Sequence, residues 1–140
     1  MTSQPISNKE SFYRIALNKK HVDLIKKRFT SYAFMLKAAS ATRAKEKDLS
    51  VDMVSRTTPQ ESRARFKKTY GISILKSLNI RSLSEKNYLI DIEEQEIEDF
   101  NPAHCGITGL PHSEDDIKMA ERYAHKLQQI SNWVECEENE

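Results

Sequence analysis

The sequence predicts a mainly α fold: a small helical domain with long N- and C-terminal amphipathic helices and a helix-turn-helix-like centre. Three observations carry that expectation. Only 3 of the 140 residues are glycine, which disfavours a fold rich in tight hairpin turns that need positive φ. Apolar residues recur at spacings of three and four in two stretches, 22–39 and 117–134, as on one face of an amphipathic helix. Two helix starts carry capping boxes, Thr58 with Glu61 and Ser113 with Asp116.

Taken in chain order, residues 1–8 read as a flexible leader. A long helix is expected within 9–45, where Val22, Ile25, Phe29, Tyr32, Leu36 and Ala39 form the stripe. Phe12 and Ile15 extend it backwards across a bend near Asn18, and Lys19, Lys20, Lys26, Lys27 and Arg28 occupy its other faces. Asp48 or Ser50 can cap a short helix through "SVDMVSR". Thr58 then caps a helix with Pro59 in its first turn, which should stop at Gly71. Ser73 or Ile74 opens a further apolar segment.

Residues 84–100 read either way. Ser84 is a reasonable helix cap, whereas Tyr88, Ile90 and Ile92 alternate as a strand would. Helix is expected, because an isolated strand would have no partner. A loop at 101–111 precedes a C-terminal helix over 114–135, striped by Ile117, Ala120, Ala124, Leu127, Ile130 and Val134. The acidic "ECEENE" closes the chain.

The length fits one domain, 1–140. No apolar run approaches 18 residues, so no membrane span is expected. The N-terminus has no signal-peptide core, so the expected compartment is cytoplasmic. With only two cysteines, Cys105 and Cys136, reduced thiols are expected.

The net charge of +1 hides an asymmetry. Residues 1–86 carry 19 Lys/Arg against 7 Asp/Glu, and residues 87–140 carry 3 against 14. The chain thus divides into a basic helical part, 9–86, and an acidic part, 87–140. Such a split suggests a basic surface for a polyanion and an acidic region that screens it or meets another partner. The plainer reading is that the two parts neutralise each other within one fold.

The densest basic cluster is "SRARFKK", with Arg63, Arg65, Lys67 and Lys68, preceded by Arg56. A short basic helix entered through a tight turn could enter a major groove, where arginine reads guanine or neutralises phosphate and lysine supplies phosphate contact. Thr58-Pro59, Phe66-Lys67, Gly71, Ser73, Leu78, Leu83 and Leu89-Ile90 also resemble one of the two helix-turn-helix units of AraC-type transcription regulators. The likeness covers 58–90. Ser62 and Ser77 stand where that family has large apolar residues, Lys86 stands where it has a small one, and no second unit follows. The family is therefore not adopted.

In "NPAHCGITGLPHSEDD", His104, Cys105 and His112 are metal-ligand types, with His125, Cys136 or the acids at 114–116 available to complete a set. Their spacing lacks the paired pattern of structural zinc, and adjacent His104 and Cys105 rarely reach one ion together. Cys105 with His112 or His125 matches no nucleophile signature. No metal, cofactor or enzyme activity is expected, and the stretch reads as a turn into the last helix. The expected function is a small nucleic-acid-binding regulatory protein, with DNA preferred over RNA, using Arg56, Arg63, Arg65, Lys67 and Lys68. The alternative is a non-enzymatic adaptor, chaperone or inhibitor that meets a protein partner or a second copy through its helical stripes.

Overall fold

Residues 12–16 are buried in unbroken succession. A surface helix of a small domain cannot bury five residues running, but a central strand covered on both faces can. In the computed structural model, which describes residues 5–135, they belong to β1 (Ser11–Ala16). The other strands are β2 (Val22–Asp23), β3 (Arg28–Phe29), β4 (Leu49–Met53), β5 (Gly71–Lys76), β6 (Asp91–Glu94), β7 (His104–Thr108) and β8 (Asn132–Trp133). Six form one antiparallel sheet in the order β6-β7-β4-β1-β5-β8, while β2 and β3 pair separately. The helices are α1 (Pro59–Ala64), α2 (Ser77–Arg81) and α3 (Ile117–Ile130).

The mainly α, all-helical expectation is therefore corrected to a mainly β fold, and each part of it fails for a physical reason. The long N-terminal helix is replaced by β1, short 3-10 turns and the β2–β3 hairpin. Of its stripe, Val22, Phe29 and Leu36 are buried, but Ile25 is 95% exposed and Tyr32 66%, so the helical spacing does not mark one face. The helix-turn-helix-like centre fails at Gly71, which opens β5 where a second helix would have to begin. Residues 84–100 contain β6, because β7 supplies the partner that the sequence did not reveal. Scarce glycine did not preclude turns: Lys27 (φ 51) and Asp99 (φ 62) take left-handed conformations themselves.

Two local readings point to the right places. Thr58 Oγ1 accepts from Glu61 N at 3.1 Å and Pro59 is the first residue of α1, although α1 ends at Ala64. The C-terminal helix is present as α3, shorter than 114–135 at both ends. Its cap is Asp116, whose carboxylate accepts from Met119 N at 3.2 Å, rather than Ser113.

Alternation along the strands sorts the sheet into two faces. One carries Phe12, Ala16, Leu49, Val51, Met53, Leu75, Cys105 and Ile107, which join Tyr123, Ala124 and Leu127 of α3 and Ala33 and Phe34 in the main core. The other carries a smaller cluster of Tyr13, Ile15 and Ile72. Ile6 of the expected leader is buried in the main core; residues 1–4 of that leader and 136–140 of the acidic tail, with Cys136, lie outside the described residues.

The opposed charges of the two halves meet inside this fold. Lys27 pairs with Glu135 at 2.8 Å, Lys45 with Asp115 at 3.1 Å, Arg81 with Asp91 at 2.7 Å, and Arg56 with Glu94. Among the described residues, no helix is long and apolar enough to cross a membrane.

Candidate functional site

β1 and β4 are paired only at Phe12↔Met53 and Tyr13↔Asp52. Beyond those pairs the strands part, and the side chain of Arg14 fills the fork. Its Nε donates to Ala33 O at 2.9 Å and its Nη1 to Ser50 O at 2.8 Å. Thus a side chain takes up one carbonyl from β4 and one from the 3-10 turn at Ser31–Phe34. Arg14 is only 9% exposed, and burial lowers its pKa to about 10, with Glu46 opposing that shift. No ion pair to Arg14 forms among the described residues.

A cavity of about 270 Å³ opens at this fork. Its floor is the second face of the sheet, with Tyr13, Ile15, Ser50, Asp52 and His104. The register makes this grouping necessary: Tyr13 pairs with Asp52 and Asp52 with His104, so all three point to one side. Phe66, just after α1, and Ile97, Phe100 and Asn101 of the β6–β7 connection form walls. Leu17, His21, Lys37 and Glu46 complete the end nearest Arg14.

Asp52 ties these walls to the floor. Its buried carboxylate accepts from Ser62 Oγ at 2.7 Å, Arg65 Nη1 at 3.0 Å and Asn101 Nδ2 at 2.8 Å. Asn101 also accepts from Ala103 N at 3.1 Å, which fixes the turn that presents Phe100. The arrangement holds a polar hinge point at the bottom of a cleft whose upper walls are apolar.

Three histidines differ in what their neighbours leave them. His21, with an Nδ1 that is buried without a partner among the described residues, has its pKa lowered to about 4, first by burial and then by the charges of Arg14 and Lys37. His112 has both nitrogens engaged, Nε2 with Lys37 O at 3.0 Å and Nδ1 accepting from Glu114 N at 3.0 Å. His104 places Nδ1 2.8 Å from Gln95 O and Nε2 3.2 Å from Ser50 Oγ. A carbonyl only accepts, so the tautomer with its proton on Nδ1 is favoured. Cys105, one residue on, points to the opposite face; it is 1% exposed and burial pushes its thiol up to about 12.

The five residues expected to contact nucleic acid do not form a helical face. α1 ends before Arg65, Lys67 and Lys68. Arg56 is paired with Glu94, Arg63 Nε donates to Thr69 Oγ1 at 2.9 Å, and Arg65 is committed to Asp52. Lys67 is exposed and Lys68 lies over the Tyr70 ring at 5.4 Å. Sequence reasoning missed Arg14, His21, Ser50, Asp52 and Asn101. The available signal was one charged residue inside each of two apolar runs, "FYRIA" and "VDMV", where burial demands a partner. No protein-family model, curated protein or solved structure matches the chain.

Proposed function

We propose that the protein binds a small organic anion with a flat apolar body in the cavity above β1 and β4. Arg14 carries this reading. Among the described residues this buried guanidinium forms no ion pair, and it has given up much of its hydration for two neutral carbonyls and the through-space charge of Glu46. A ligand carboxylate or phosphate reaching Arg14 would add the direct charge-assisted hydrogen bonds that Glu46, acting only through space, does not make, and arginine presents N–H groups suited to either. Lys37 and Glu46 line the same end, so Arg14 supplies the excess positive charge there. The rim points to the rest of the ligand, since Phe66, Phe100, Ile97 and Leu17 all keep substantial exposed apolar surface there. A concave, mostly apolar site with a few placed polar groups is the usual form of a small-molecule pocket.

Nucleic-acid binding through the basic cluster has weaker support, because Arg56, Arg63 and Arg65 are hydrogen-bonded or ion-paired within the fold.

Calorimetric titration with sodium benzoate and with inorganic phosphate tests the anion reading. Benzoate is expected to bind, phosphate to bind more weakly for want of an apolar body, and Phe100→Ala to weaken benzoate without altering the melting temperature. Arg14→Lys, which keeps the charge but loses the fork, should weaken both. Folded wild-type protein that takes up neither anion would overturn the proposal.

A further inference from the structure

We propose that Ser50 and His104 form a nucleophile–base pair and that the cavity hydrolyses carboxylic esters. The reading rests on the anion site only for its product, since the carboxylate released would be the anion that Arg14 holds. Ser50 Oγ lies 3.2 Å from His104 Nε2, and both side chains face the cavity. The Gln95 carbonyl, 2.8 Å from Nδ1, keeps the proton on that side of the ring, leaving the Nε2 lone pair to accept the Ser50 proton.

The orienting group is itself held in place. Gln95 N donates to His104 O at 2.9 Å, so the two residues are bonded through main chain and ring together. Gln95 Nε2 donates to Asp48 Oδ2 at 2.7 Å. The Gln95 side chain lies in the space where any Cβ at Gly106 would stand. This gives Gly106 a specific use: a larger residue there would displace the Gln95 side chain next to the histidine.

The chemistry balances with water as the only co-reactant. Ser50 Oγ attacks the ester carbonyl carbon while its proton passes to His104 Nε2, and the carbonyl π pair moves to oxygen. Arg14, bonded to the carbonyl of Ser50 and lining the same cavity, fixes the main chain that carries the nucleophile. Collapse breaks the ester C–O bond, and the leaving alcohol takes the proton from Nε2. Water then attacks the acyl-serine by the same relay, which releases the carboxylic acid and restores Ser50.

The full chain is incubated with a fluorophosphonate, which forms a Ser O–P bond with loss of fluoride, and the adduct is mapped by mass spectrometry. Turnover of 4-nitrophenyl benzoate is measured in parallel. A single adduct at Ser50 is expected, absent in Ser50→Ala. Turnover should fall at least ~100-fold in Ser50→Ala and in His104→Gln, each with an unchanged melting temperature. Folded wild type with no adduct at Ser50, or Ser50→Ala with wild-type turnover, would overturn the proposal. Benzoate binding without a Ser50 adduct sinks the hydrolysis and spares the anion site. A Ser50 adduct without benzoate binding does the reverse.

Discussion

Arg65 Nη1 stands 3.0 Å from Asp52 Oδ2, and both side chains are largely withdrawn from solvent. The pair fastens the segment after α1 to the middle of the sheet, so it holds one wall of the cavity upright. Replacing Asp52 by alanine would leave Arg65 buried without its counter-charge and strip Ser62 and Asn101 of their acceptor. A loss of about 3–5 kcal/mol is expected in urea denaturation. Arg65→Met should cost less, because Asp52 would keep the Ser62 and Asn101 hydrogen bonds.

His21 predicts a pH dependence. Its pKa is lowered from 6.5 to about 4 in the folded protein, by burial first and by Arg14 and Lys37 next. The folded state therefore holds fewer protons than the unfolded one between those values, and stability must fall as pH drops through that window. Above 6.5 His21 contributes no slope, and below about 4 its penalty is complete. Urea midpoints measured at neutral pH and near the middle of the window should converge more closely in His21→Gln than in wild type.

Cys105 should be chemically silent in the native protein. Burial in the main core, with a thiol pushed up to about 12, leaves almost no thiolate at neutral pH. Peptide mapping after iodoacetamide should find Cys105 unmodified in buffer and modified in denaturant. Modification at equal rates in both conditions would contradict this placement.

Gly109 holds a left-handed turn at φ +83, and a Cβ there would run into the Leu89 carbonyl oxygen. Gly109→Ala should destabilise by more than about 1 kcal/mol, since the left-handed penalty and the backbone collision act together. Urea denaturation measures it directly.

What was legible in the sequence depended on whether the signal was local. The Thr58-Pro59 start and the apolar face of α3 are set by neighbours within one or two turns, and both were found. β1 and β4 were missed because strands buried on both faces read as apolar runs without a clean period, and their partners lie far off in sequence. The 22–39 stripe misled because Val22, Phe29 and Leu36 are buried one by one from a turn-rich segment, not from a helix. Site residues fared similarly. Ser50 and His104 are 54 positions apart and meet only through the β4–β7 register. The basic cluster was conspicuous in composition, but the acids that engage it come from β4 and β6.

The short pairing between β1 and β4 divides the sheet into two three-stranded leaves, β6-β7-β4 and β1-β5-β8, joined by two residue pairs and the Arg14 clasp. The hydrogen-bonded link between the leaves is therefore confined to one narrow seam, while the main core packs across both. A molecule seated over that seam would touch both leaves and add cross-bracing between them. Amides flanking the fork should then exchange with deuterium more slowly in its presence, while those deep within either leaf change little. Occupancy would register as stiffness.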